Sequence, residues 1–273
     1  VFSGDGGAFE VVDFAPRFSL YDRFFKPSML IRIMRPLEGE PRARVRCRPT
    51  YEYGLETIGH WRASNHIEFT GFPTPVRLTT NLPLTYVEDE RPFLLERDRH
   101  LVLTWGEPLE AGLEETAERF LERTLDYWRR WVKGTRVPRD YQQEVVRSAL
   151  ALKLHQYEDT GALLAATTTS IPEYPGSGRT WDYRFCWLRD AYFTLNALER
   201  LGHSEEMEHF LEYLRNLAEE NGGVLQPAYR INGDSIQILY NIKCVDPPEQ
   251  YSRWISVTPD SAGNLVPQVT AAD

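Results

Sequence analysis

The sequence predicts a mixed fold: a partial antiparallel β-sandwich over residues 1–107, a linker helix within 108–137, and helical hairpins over 138–273. Three observations predict it. Short apolar runs that alternate with polar residues fill the first region, broken by Pro, Gly and Asn. The apolar period then changes from two to about 3.6 after Pro108. Finally, two periodic stretches joined by a few residues at Gly202 have the pattern of a helical hairpin.

In the β region, Glu10 to Phe14, Ser28 to Met34 and Arg42 to Arg48 are strand-like. Arg44, Arg46 and Arg48 alternate with Val45 and Cys47, as in a strand with one wet face. Val76 to Leu82 and Phe93 to Trp105 continue the pattern, and sheets of this kind bury their apolar faces as a sandwich. In the linker helix, Ala117, Phe120, Leu121, Thr124, Trp128, Trp131 and Val132 form one stripe, and Gly134 and Pro138 stop it. Asp140 and Gln143 have capping-box spacing for a second helix running to about Glu158, with Gly161 beyond it. A third is expected from Trp187 to Leu201, with Gly202 ending it. Ser204 is placed to cap a fourth, whose Met207, Phe210, Leu211, Leu214 and Leu217 should face inward as far as Asn221.

Bulk properties exclude several functions. Up to Arg136 there are 20 basic and 21 acidic residues, and after it 11 and 19, so the second half should repel phosphate backbones. Nucleic acid is therefore not an expected partner. No apolar run approaches the roughly 18 to 20 residues that span a bilayer, so no membrane partner is expected either. Cys47, Cys186 and Cys244 form no pairing pattern and read as free thiols of a reducing, cytoplasmic setting. Histidine spacing gives no zinc motif, glycine spacing gives no nucleotide loop, and no cofactor is expected. The chain opens at Val1 without methionine, inside what already reads as a strand and turn, so its true N-terminus is expected to lie upstream.

The loop between the second and third helices is long, and long loops inside compact domains usually carry function. Trp181, Tyr183, Phe185 and Trp187 stand within ten residues of Arg184, Arg189, Asp182 and Asp190. Aromatic faces and charged forks together suit a sugar, whose CH face stacks on rings while its hydroxyls exchange hydrogen bonds. By residue type alone, an adjacent Arg189 and Asp190 at a helix start are most often a salt bridge or cap, and the aromatics could be core.

The pattern Asp-Tyr-x-Phe-x-Trp-x-Arg-Asp at 182–190 resembles the signature of glycoside hydrolase family 15, which holds glucoamylases, glucodextranases and some microbial trehalases. Arg147 to Lys153, Ala165 to Glu173, Tyr51 to Gly54 and Ile236 to Tyr240 are similar to its bacterial branch, in order along the chain. The resemblance implies a β-sandwich followed by an (α/α)6 barrel, of which 138–273 would be the N-terminal part. It implies that Arg189 and Asp190 bind hydroxyls of the terminal glucose of an α-linked glucosaccharide. Trp187 would pack beside that sugar, and Tyr183 would lie near the reacting carbon.

The family is inverting, and such chemistry needs two carboxyls roughly 6.5 to 9.5 Å apart. The resemblance places both beyond the residues matched here, so no catalytic residue is assigned. Glu114-Glu115, Glu205-Glu206 and Glu219-Glu220 are expected on solvent faces, and Glu173 matches a loop position. From Lys243 to Ala262 the resemblance lapses, as a local reading-frame error would produce. The expectation is a fragment of an α-glucosidase acting on malto-oligosaccharides or trehalose, inactive by itself. A non-catalytic carbohydrate-binding or regulatory protein is the alternative. Unpartnered barrel helices would make the chain poorly soluble or oligomeric.

Overall fold

In the computed structural model, the described residues are all but 5, 22, 52–53, 57, 110–111, 169–182, 235–238, 247–248, 260–264 and 272–273. Within 239–271 the description is of the backbone alone. The chain forms two compact units, Val1–Arg130 and Trp131–Asp273.

The first unit contains β1 (Phe2–Gly4), β2 (Gly7–Phe14), β3 (Phe18–Leu20), β4 (Arg23–Phe25), β5 (Met29–Gly39) and β6 (Arg42–Ala43). It continues with β7 (Gly59–Arg62), β8 (His66–Thr70), β9 (Val76–Thr80), α1 (Leu84–Glu88), β10 (Phe93–Leu94), β11 (Arg99–Trp105) and α2 (Leu113–Lys133), whose last residues enter the second unit. Seven strands form one antiparallel sheet in the order β1-β2-β5-β11-β9-β8-β7. The strand expectations hold in the main. Arg42 to Arg48 is the exception: only Arg42–Ala43 pairs, with β10. The rest is extended without a ladder, yet Arg44, Arg46 and Arg48 stay exposed while Val45 is buried, so the alternation reports burial and not strand pairing.

The sheet is apolar on both faces. On one, Met34, Ile67, Val76, Leu78 and Leu101 pack with Ala43, Val45, Leu84, Val87, Phe93 and Leu95 from the short pair, the extended segment and α1. On the other, Ile31, Ile33 and Val102 meet Ala117 and Leu121 of α2. A helix, not a second sheet, thus covers that face. Polar anchors hold it there: Arg35 Nη2 donates to Glu118 Oε2 at 2.6 Å, and the buried His100 has Nε2 3.0 Å from Glu118 Oε1.

The second unit continues with α3 (Gln142–Lys153), β12 (Cys186–Trp187), α4 (Leu188–Arg200), α5 (Glu205–Glu220), β13 (Ala228–Tyr229), β14 (Leu239–Asp246), β15 (Glu249–Pro259) and β16 (Leu265–Ala271). The capping box at Asp140 is not formed. Tyr141 occupies the cap position in the left-handed region, and its carbonyl accepts the first helical bond from Val145 N–H, which puts Asp140 and Gln143 one residue out of register. The helix also ends at Lys153 and not near Glu158. Its last carbonyls take three-residue bonds from His155 and Gln156, and the chain then reverses so that Gln156 bridges Leu163.

Two helices, α4 and α5, form the expected hairpin. Gly202, at φ 92°, closes α4: its N–H bonds Glu199 O and His203 N–H bonds Leu198 O, a Schellman end that needs a left-handed residue. Ser204 sits at the cap of α5 but makes no side-chain capping bond. Met207, Phe210, Leu214 and Leu217 do face the core of this unit, whereas Leu211 is 56% exposed and Tyr213 takes an inward place instead. From 239 to 271, antiparallel β14, β15 and β16 stand where barrel helices were expected. Tyr251, Trp254, Ile255, Val257 and Thr258 in β15 are residues that favour strands, and Pro267 lies in edge strand β16, where a missing N–H is tolerated. Among the described residues, no helix is long and apolar enough to cross a membrane.

Candidate functional site

The site begins with a short ladder. Cys186 pairs with Tyr229, and Trp187 with Ala228. Trp187 therefore precedes α4 as an extended residue and does not belong to the helix. Leu188 N–H bonds Pro227 O at 3.1 Å, fixing where the strand turns into helix. On the other side, Ala165 N–H bonds Phe185 O at 3.0 Å and Ala166 N–H bonds Tyr183 O at 2.8 Å. The segment carrying the aromatics is thus held from both edges.

All four residues singled out from the sequence come together. The Tyr183 and Trp187 rings lie 5.8 Å apart, tilted by 48°. Arg189 stands over the Trp187 ring, its Cζ 5.7 Å from the centroid, and its Nη2 donates to Asp190 Oδ2 at 3.0 Å. Trp187 is buried, Tyr183 half-buried, and the Arg189 side chain is 66% exposed. A buried ring backs an exposed fork with an acceptor beside it, an arrangement that can hold the hydroxyls of a sugar.

The remainder of the motif is unequal. Trp181 and Asp182, with the rest of Thr169 to Asp182 including Glu173, lie outside the described residues. So do Glu52, Tyr53 and Ile236 to Ile238. Cys186 is fully buried, and that burial pushes its thiol up to about 11, so at neutral pH it is a protonated core group and no nucleophile. Among the described residues, no cluster of His, Cys, Asp and Glu could hold a metal ion.

Residues 139–261 match the model of glycosyl hydrolases family 15. The trehalase of Mycobacterium tuberculosis is 33% identical over 229 residues, which cover 78% of this chain and 32% of the relative. The chain belongs to glycoside hydrolase family 15. Further family relatives include the trehalase of Thermoplasma volcanium, 46% identical over 91 residues, or 33% of this chain and 15% of the relative. Trehalase 2 of Sulfolobus acidocaldarius is 27% identical over 231 residues, or 77% of this chain and 38% of the relative. The chain spans about a third of the length of these first curated relatives. No solved structure matches it.

One acidic residue of this family member is misread by the sequence. Glu206 was expected on a solvent face with Glu205, but it is 1% exposed. Its carboxylate meets Lys153 Nζ at 2.9 Å and accepts from Trp131 Nε1 at 2.8 Å. Burial opposes its ionisation, yet Lys153 and the Trp131 hydrogen bond overcome that and hold the carboxyl below its ordinary value. Helical spacing does put it on the buried face, four and seven residues before Phe210 and Tyr213, but by residue type a glutamate reads as wet. Arg230, also unmarked by sequence, places its Cζ 5.8 Å from the Phe185 ring centroid, next to the same ladder.

Proposed function

We propose that this chain carries the first glucose-binding position of an inverting α-glucosidic hydrolase, and that its substrate is trehalose. The observation that carries the reading is the grouping of Tyr183, Trp187, Arg189 and Asp190 on one rigid ladder at the start of α4. Trp187 would pack beside the sugar ring and back the Arg189 fork. The Arg189 and Asp190 pair would donate to and accept from adjacent hydroxyls, a fit a neutral polyol satisfies better than an anion in this acidic half. Trehalose is favoured over malto-oligosaccharides because the relatives cited above bear the name trehalase. Free Cys47 and Cys186 suit a reducing compartment such as the cytoplasm.

The test is calorimetric titration of the chain with trehalose and maltose, followed by proton NMR of any glucose released. An inverting attack would free one β- and one α-glucose from each trehalose, but no catalytic carboxyl is assigned in this chain, so binding without release is the outcome expected of it. Tighter binding of maltose than of trehalose would overturn the choice of substrate. Arg189→Ala should weaken binding while leaving Tm in place. A fall in Tm with affinity unchanged would make the Arg189 and Asp190 pair a structural salt bridge and overturn the reading.

A further inference from the structure

We infer that Arg230 is a second sugar-binding arginine, one that recognises the hydroxyls of the second glucose unit of a disaccharide and so sets specificity for two linked sugars over one. The inference rests on the sugar-binding reading of Trp187 and Arg189.

The ladder fixes which side chains share a face. Cys186 and Tyr229 are cross-strand partners and both are fully buried, in the core between α4 and α5. Successive side chains of an extended chain alternate, so Trp187 and its partner Ala228 point to the opposite face. One step beyond Cys186 and Tyr229, Phe185 and Arg230 return to that same face. Their contact agrees, since the Arg230 guanidinium stands 5.8 Å from the Phe185 ring centroid. The face thus carries the same unit twice: Arg189 over Trp187 at 5.7 Å, and Arg230 over Phe185.

Three hydrogen bonds fix the backbone beneath Arg230. Its N–H bonds Asp234 O at 2.8 Å, and its carbonyl accepts from Gly233 N–H at 3.0 Å and from Tyr213 Oη at 2.8 Å. The tyrosine is buried, so the anchor reaches into the core. Above this backbone, Arg230 is exposed, and among the described residues no carboxylate pairs with it. A guanidinium resting near a ring and free of a carboxylate partner keeps N–H groups for ligand, and a fixed backbone lowers the entropy lost on binding. A neutral sugar is the suited ligand, because residues beyond Arg136 number 11 basic against 19 acidic, an excess that opposes an anion.

The experiment titrates the full chain with glucose and with trehalose, reading tryptophan fluorescence and calorimetric heat. Arg230→Ala should weaken trehalose binding about tenfold or more, as loss of a charged hydrogen bond does, and leave glucose affinity unchanged. Arg230→Lys, which keeps the charge but loses the fork, should recover only part of the trehalose affinity. Equal losses for both sugars, or no loss for either, would overturn the inference. Should Arg230→Ala not fold, Arg230→Lys decides, since wild-type trehalose affinity in that variant would also overturn it. Wild-type chain that binds neither sugar would remove the underlying reading as well, an outcome distinct from sugar binding that ignores residue 230.

Discussion

Lys153 and Glu206 form a buried ion pair, Nζ to Oε1 at 2.9 Å, with side chains only 6% and 2% exposed. Trp131 Nε1 donates to the same oxygen, Lys153 donates to Gln156 Oε1 at 2.7 Å, and Gln156 Nε2 reaches Glu206 O at 3.3 Å. The end of α2, the end of α3 and the start of α5 are thereby joined through one carboxylate. Breaking such a pair strands a charge without water. Lys153→Met is expected to destabilise the fold by about 3–5 kcal/mol, and adding Glu206→Leu should restore much of the loss. Urea unfolding of the two variants checks this, and a Lys153→Met midpoint equal to wild type would refute it.

Acid should act in two steps of the same sign. His203 stacks on Trp131 at 3.9 Å, and its Nε2 lies 2.8 Å from Thr135 Oγ1. Burial pushes its pKa below the ordinary 6.5, so the unfolded chain takes up a proton first and stability falls as pH drops below about 6.5. Glu206, also depressed, contributes stability that is full above about 4.5 and is lost as pH falls through its lower folded value. Thermal melts between pH 8 and 3 should show both declines, and Glu206→Gln should shrink the lower one, to which Glu90 and Glu114, also held low, still contribute.

Gly161 and Gly202 both have positive φ, 84° and 92°, but they should not respond alike to alanine. A Cβ at Gly161 would collide with the backbone carbonyl of His209, which cannot move without shifting α5. At Gly202 it would meet the Arg136 side chain at 3.2 Å, which can turn away. Gly202→Ala is expected to cost about 1 kcal/mol from backbone strain, and Gly161→Ala clearly more, roughly 2–3 kcal/mol. Equal Tm losses in the two variants would contradict the ranking.

Tyr192, Phe193 and Leu211 are 62%, 66% and 56% exposed along α4 and α5. Leu188, Tyr192, Leu195, Phe210, Leu211 and Leu214 line an apolar cleft of about 290 Å³ between the two helices. Such a patch limits solubility. Replacing Tyr192 and Phe193 together by serine should raise the concentration at which the chain stays monodisperse in light scattering, and no change would argue that the patch is not responsible.

Patterns along the chain were enough to read the change of period at Pro108, most strands of the large sheet, and the α4–α5 hairpin with its Gly202 ending. They also marked Tyr183, Trp187, Arg189 and Asp190, because these residues sit within eight positions of one another and local order brings them together. Tertiary structure decided what depends on partners distant in sequence. Arg42 to Arg48 alternates in burial but pairs over only two residues, since a ladder needs a neighbour that alternation does not specify. Glu206 became a buried anion only because Lys153 and Trp131 converge on it from other helices. Arg230 joined the face of Trp187 only because two residues on each side of a 40-residue gap share a ladder. Local pattern records the preferences of neighbours along the chain, and a buried charge or a shared face is set by residues that meet only after folding.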